Sequence, residues 1–422
     1  MGQTITEKIL SRAAGRPVSP GEYIEVSSRV PITMGRFTGD RTSPMMKELG
    51  VDKLFDPNLI HFVDGHIGTS PSHNAGEARS RTREFGKRMG IPLENIFELG
   101  RAGIEHVVSG DNAWALPGEI FMCAHNNGHT TTSGALGAFA FPLTFGSNNY
   151  LITGKTWVRV PDSVKIVVNG KLPKGVVGRD VVEYALGQIG PIASAGKVIE
   201  WVGPAIDDMS IDSRFTLCCN ALFFGAWTAI INPDQKCIEY VKSRNPNPFE
   251  PLYSDPDASY AHVFEIDVSN LVPQIVPPPE RYHVHPVTQH EGKPINRGFA
   301  GSCANGRMED MRMVAQVLKG RKIHPEVVFN ITPGTDRILK QCVQEGLMEI
   351  FLEAEAIVPV PSCSMCAGLT TPLGAGDVCV ATGTCNYRGR MGSRDAEIYL
   401  ANAATVAASC VEGKIADPRK YL

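Results

Sequence analysis

Glycine and proline cut this chain into short pieces, and that limits what it can fold into. Of 422 residues, 42 are Gly and 30 are Pro, and they break one apolar run after another. The longest apolar stretches, 134–146 and 221–231, are themselves interrupted by Gly, Pro or Trp. Both fall short of the roughly 18 to 20 residues that a membrane span needs. Short strands and helices alternating through many loops suit this texture, so the α/β class is expected. Local signals agree. Thr4 and Glu7 stand at capping-box spacing before a helix. Strands are expected at 59–63, 120–123, 327–331 and 354–359, and helices at 74–88, 180–187, 310–318 and 335–345. Asn169-Gly170 reads as the turn of a hairpin over 164–172. The proline-rich stretch from 272 to 297 reads as an extended linker.

Charge narrows the partners. Lys plus Arg total 41 against 44 Asp plus Glu, a balance that favours neither nucleic acid nor an anionic membrane, so a small-molecule site is expected. The first residues, Met1-Gly2-Gln3-Thr4-Ile5-Thr6, show neither the basic nor the apolar segment of a secretory leader. Eleven cysteines in such a chain point to thiols or metal ligands in a reducing compartment, and a cytoplasmic location is expected.

Three of those cysteines lie in loops of small residues that let backbone approach a ligand closely: Gly301-Ser302-Cys303-Ala304-Asn305-Gly306 and Pro361-Ser362-Cys363-Ser364-Met365-Cys366-Ala367-Gly368. A Cys-x-x-Cys alone fits a redox pair, half a zinc site or coincidence. With the third thiol, the set is one short of what closes a [4Fe–4S] cluster, which leaves one iron open as a Lewis acid. Cys218, Cys219, Cys342 and Cys410 fall in helical apolar patterns, and Cys123, Cys237 and Cys379 in strand-like ones. All seven read as core residues.

The phrases Gly-Ser-Cys-Ala-Asn-Gly-Arg-Met-Glu-Asp-Met-Arg, Pro-Ser-Cys-Ser-Met-Cys-Ala-Gly and Asn-Tyr-Arg-Gly-Arg-Met-Gly resemble the large subunits of 3-isopropylmalate dehydratase and homoaconitase, in the aconitase superfamily. The likeness runs through Gly134-Ala135-Leu136-Gly137, Thr153-Gly154-Lys155-Thr156-Trp157 and Asn169-Gly170-Lys171-Leu172-Pro173. It implies three α/β domains around a central cleft, placed here at 1–150, 151–285 and 286–422, the last carrying the cysteines. It further implies that Cys303, Cys363 and Cys366 hold a [4Fe–4S] cluster. His66, Glu105, His106 and His129 fall at active-site positions of the family, and Arg390 at that of a carboxylate-gripping arginine. The catalytic serine of two-subunit members sits on a separate small swivelling subunit, so a heterodimer or heterotetramer is expected. Ser393, in a look-alike Ser-Arg motif, is expected to be structural.

The sequence departs from the family in what should be substrate territory. Arg36-Phe37 replaces a His-Asp pair, and Asn127 replaces an aspartate of Asp-Ser-His. Phe223, or Phe224 with a one-residue slip, replaces a glutamate, and Cys385 replaces a carboxylate-binding arginine. Arg36, Asn127 and Arg388 are the candidate substitute contacts. The expected function is a hydro-lyase acting on a 2-hydroxy di- or tricarboxylate such as 3-isopropylmalate or a related alkylmalate. The alternatives are a degenerate cluster-binding paralogue and a cluster enzyme of another reaction type.

Overall fold

The computed structural model describes residues 2–65, 73–123, 128–143 and 147–422, and the side chains among them except those of 34–41, 73 and 128. It adopts the α/β class expected. Three mainly parallel sheets follow one another along the chain. The first has five parallel strands in the spatial order Ile96–Phe97, Ile60–Val63, Ile32–Gly35, Ile120–Cys123, Phe139–Pro142. The second has four, also parallel: Thr228–Ile231, Val198–Val202, Ser163–Asn169, His262–Asp267. The third has six, His285–Pro286, Gln274–Val276, Glu397–Ala401, Val378–Ala381, Arg297–Ala300, Val328–Ile331; its first two junctions are antiparallel and the others parallel.

Strand periodicity sorts the third sheet's residues between two cores. Ile275, Ala300, Phe329, Ile331, Val380, Tyr399 and Ala401 pack with the helices Met308–Leu318 and Ala403–Glu412. Val276, Phe299, Cys379, Ala381, Ile398 and Leu400 face the other way, onto Cys363, Met365 and Cys366. Alternate side chains leave a strand on opposite faces, so one run of residues builds a structural core and the wall of a site.

Several expectations need correction. The segment 164–172 is no hairpin. Its strand, Ser163–Asn169, lies between two parallel neighbours, and Asn169-Gly170 turns the chain out of the sheet, Gly170 having φ 90°. Local pattern marks a turn but not the strand's partner. The 272–297 stretch is more than a linker, because Gln274–Val276 and His285–Pro286 supply the antiparallel edge of the third sheet. The strand expected at 354–359 reduces to one bridge, Asn330 to Ile357. Cys237 is buried as expected but on the helix Gln235–Lys242 rather than a strand. The capping box at Thr4 and Glu7 forms, with the Glu7 N–H donating to Thr4 Oγ1 at 3.2 Å. No helix among the described residues is long and apolar enough to cross a membrane.

Sheets one and three meet along a seam of glycines. A Cβ on Gly65 would fall 1.5 Å from the Gly103 carbonyl oxygen, one on Gly103 2.2 Å from that of Gly334, and one on Gly334 2.7 Å from that of Gly306. Main chain therefore touches main chain, tied by Ile104 N–H to Gly334 O at 2.8 Å and Gly334 N–H to Gly306 O at 2.7 Å. Any side chain here would force the backbones apart.

Candidate active site

The site lies beyond the carboxyl ends of parallel strands, where open α/β sheets ordinarily bind ligands. Arg297–Ala300 runs into Cys303, Val378–Ala381 into Cys385, and Ile120–Cys123 leads toward His129. Two of the turns carry strained residues. Ser302, just before Cys303, has φ 83°, and Ser364, just after Cys363, has φ 47°. Left-handed backbone at a residue with a Cβ costs on the order of 1–3 kcal/mol and persists only where surroundings fix it. Both serines are fully buried. Ser302 Oγ donates to the Thr382 carbonyl at 2.8 Å, while Ser364 Oγ lies 2.6 Å from Thr370 Oγ1 and accepts from Thr332 Oγ1 at 3.2 Å. The strain is thus locked in beside the thiols.

All eleven cysteines are free thiols, and four of them gather here in two neighbouring pairs. Cys363 and Cys366 form one, Cys303 and Cys219 the other. The adjacent Cys363 thiol, helped by the Arg390 guanidinium, holds Cys366 well below the ordinary thiol range. Burial opposes ionisation of Cys219, but the adjacent Cys303 thiol and the His129 imidazole outweigh it and hold that thiol low. Cys303 and Cys363 are pushed up, first by the neighbouring thiol of each pair, then by burial. Cys303 also feels the charge of Cys366 and Cys363. Four sulfurs, two of them held toward the thiolate form, make a soft centre suited to iron–sulfur or zinc ligation.

Cations and imidazoles surround it. Arg390 Nη2 donates to Cys366 Sγ at 3.6 Å and Nη1 to Tyr387 Oη at 3.4 Å. Its buried Nε has no hydrogen-bond partner among the described residues. His129 Nδ1 lies 3.3 Å from Cys219 Sγ and 3.0 Å from the Cys219 carbonyl oxygen. Burial disfavours the imidazolium, yet the Cys219 thiolate raises this histidine's pKa overall. The His106 ring is 6.3 Å from that of His129. Glu105, beside it on the helix Glu105–Asp111, accepts from Cys123 Sγ at 2.8 Å.

The other expected residues fall in different places. His66 and Asn127 lie outside the described residues. Arg36 opens the helix Arg36–Glu48, and its side chain, like that of Phe37, is outside them as well. Arg388 is exposed and lines a surface cavity of about 560 Å³ with Lys293, Arg394 and Glu397. Ser393 Oγ accepts the Asp395 N–H at 3.1 Å within its turn.

Sequence reasoning missed three participants. Cys219, read as a packing residue, is fully buried but ends its helix, Ile211–Cys219, against Cys303. Arg281, inside the supposed linker, stacks 4.3 Å over the Phe223 ring, which itself is 6.3 Å from His129. Arg179, fully buried, reaches Asn305 Oδ1 at 2.9 Å, Thr382 O at 3.2 Å and Gly383 O at 2.9 Å, tying the second sheet's layer to the Cys303 turn and to the loop of Cys385. Glu183 joins the two arginines, 2.7 Å from Arg179 Nε and 2.5 Å from Arg281 Nη1. The proline signal around Arg281 concealed it, and a lone Arg179 in the first turn of the helix Gly178–Ile189 carries no motif.

Parallel strand ends that gather thiols, imidazoles and a guanidinium in one largely buried cluster define an α/β enzyme with a thiol centre. Residues 71–294 and 275–413 match the model of the aconitase family (aconitate hydratase), and the chain belongs to that family. It is 38% identical over 426 residues to the 3-isopropylmalate dehydratase large subunit 1 of Methanopyrus kandleri, with 100% of both chains covered. The 3-isopropylmalate dehydratase large subunit of Aquifex aeolicus is 39% identical, covering 99% of this chain and 97% of the relative. That of Wolinella succinogenes is 40% identical with 100% of both covered. Among solved structures, holo aconitase X of Thermococcus kodakaraensis overlaps with a TM-score of 0.48 at 12% identity, over 84% of this chain and 83% of that one. The protein is a hydro-lyase of the 3-isopropylmalate dehydratase-like type. Aconitase-family proteins bind iron–sulfur clusters, and the buried thiols with an adjacent guanidinium donor suit such a group chemically.

Proposed function

We propose that this chain is the thiol-bearing large subunit of a two-subunit [4Fe–4S] hydro-lyase that adds and removes water on a 2-hydroxy di- or tricarboxylate of the alkylmalate class, such as 3-isopropylmalate. The observation that carries this reading is the gathering of thiols with Arg390 and His129 at the strand ends. Cys303, Cys363 and Cys366 would hold the cluster. When bound, the cluster supplies an iron open to the substrate's hydroxyl and carboxylate as a Lewis acid. Arg390 has donors left beyond those turned to Cys366 and Tyr387, enough to bind a carboxylate and steady its charge. His129 and His106, ring to ring, are placed to hold or move a proton near that carboxylate. His66, Glu105, Arg36, Asn127 and Arg388 remain proposed contributors by family position. Phe223 and Cys385 stand where the family has charge, which favours an apolar substituent on the substrate. The relatives' names denote a large subunit, and a small subunit bearing the serine base would complete the site.

The test combines the chain, its cluster reconstituted anaerobically, with a small subunit and measures kcat/KM on 3-isopropylmalate, other alkylmalates and monocarboxylic 2-hydroxy acids. Turnover is expected only with both subunits present and only on acids with two or more carboxylates. Equal activity of the large chain alone overturns the two-subunit reading, and no turnover of any dicarboxylate overturns the substrate class. In the same preparations, Cys363→Ser is expected to remove most of the iron–sulfur absorbance. Full absorbance in the single serine variants of Cys303, Cys363 and Cys366 would refute the ligand set.

A further inference from the structure

We propose that His129, Cys219 and Cys303 form a mononuclear site for a soft divalent ion of the zinc class, sharing only Cys303 with the proposed cluster ligands. Their donor atoms all lie within 4.8 Å of one another. All three residues are buried. One tetrahedral zinc, with bonds of about 2.3 Å to sulfur and about 2.0 Å to nitrogen, holds a sulfur and a nitrogen about 3.5 Å apart and two sulfurs about 3.8 Å apart. The 3.3 Å between His129 Nδ1 and Cys219 Sγ lies about 0.2 Å inside that sulfur–nitrogen separation, and Cys303 Sγ is within 4.8 Å of both donors. Ligand identity fits as well, since two thiolates and an imidazole select zinc or ferrous iron over magnesium or calcium.

Hydrogen bonds place the donors before any ion arrives. Thr131 Oγ1 donates to the Cys218 carbonyl at 2.7 Å, joining the turn Gly128–Leu136 to the helix that ends at Cys219. Thr216 Oγ1 donates to the Ala304 carbonyl at 2.6 Å, joining that helix to the Cys303 turn. Three segments distant in sequence are thus stitched together beside their ligands. His129 Nδ1 faces the Cys219 carbonyl oxygen as well as its sulfur. The neutral ring therefore has either a proton to share with that oxygen or a lone pair to give an ion. Binding displaces the protons remaining on the thiols to solvent. With three protein donors, the fourth position falls to water or to a small anion. The ion site needs nothing from the cluster; only its consequence, that an ion on Cys303 blocks cluster assembly, rests on the cluster reading.

Full-length chain, purified anaerobically and freed of metal, is titrated with Co²⁺ as the optical probe. About one equivalent is expected to bind with thiolate charge-transfer absorption and visible bands of tetrahedral cobalt, and Zn²⁺ is expected to displace it. Cys219→Ala and Cys219→Ser should weaken binding by on the order of a hundredfold or more, exceeding the loss typical of outer-shell changes. Cys363→Ser and Cys366→Ser should keep the bands, as should Cys218→Ala, which alters the adjacent buried thiol. Bands that survive both Cys219 variants, or vanish in Cys363→Ser, overturn the site. So does their loss in Cys218→Ala, which would trace the effect to packing. Zinc-loaded chain should also take up no cluster until the zinc is chelated. If metal-free chain takes up none either, the cluster reading fails while the cobalt titration still decides the ion site.

Discussion

Arg390→Ala is expected to lower kcat/KM on a 2-hydroxy dicarboxylate by roughly a hundredfold to a few thousandfold. Truncating one partner of a buried, charge-assisted pair typically costs about 3–5 kcal/mol, and each tenfold in rate is about 1.4 kcal/mol. Arg390 is placed for an effect of that size. Thiolate charge from Cys366 and its neighbours overcomes the cost of burial and raises its pKa, so it stays cationic throughout the physiological range. Part of the loss should appear in KM, since the same guanidinium binds ground state and transition state alike. Arg390→Lys keeps the charge but not the planar fork and should recover only a fraction. Iron content measured on the same samples separates carboxylate binding from support of Cys366. Activity within threefold of the parent at unchanged iron content would remove Arg390 from the substrate site.

Glu183→Ala should be strongly destabilising. Its carboxylate is buried between Arg179 and Arg281, whose side chains are 0% and 10% exposed. Removing it leaves two largely desolvated cations facing each other, a situation that costs about 3–5 kcal/mol. A fall of several degrees in the unfolding midpoint is expected. Because Arg179 holds Asn305, Thr382 and Gly383, cluster content should fall with it. Glu77→Ala serves as the comparison. Glu77 pairs with Arg81 at 3.7 Å on an exposed helix face, where such a pair contributes at most about 0.5 kcal/mol. Equal midpoints for the two variants would show that the buried triad does not support the fold.

Much of the site was legible in the sequence, for a physical reason. Cys303, Cys363 and Cys366 sit among Gly, Ser and Ala, and small residues around a cysteine leave space that packing has no use for. Cys219 sits among Phe215, Leu217 and Ala221, and from sequence it cannot be told from an ordinary core thiol. What distinguishes it is a neighbour 84 positions further on, Cys303, and such nearness exists only in three dimensions. Arg281 shows the opposite failure. Prolines around it signalled an extended linker, but the stretch forms two short edge strands, and Arg281, in the turn between them, stacks its guanidinium on Phe223. The Asn169-Gly170 misreading is of the same kind. The turn is real, while the choice between antiparallel return and parallel crossover depends on partners that lie far along the chain.

The glycine seam has a bearing on how the molecule is made. Residues 65, 103, 306 and 334 must all be present before main chain can close on main chain, and the thiols come from positions 219, 303, 363 and 366. Contacts of such sequence separation form late in folding, since the closure entropy of long loops precedes their reward. A nascent chain that has not yet released residues 363 and 366 therefore lacks the full set of four thiols. The complete four-thiol centre arises only when the chain through residue 366 has emerged and its first and third sheets have met. On the proposed ligand set, cluster uptake would therefore follow the closing of that seam rather than precede it.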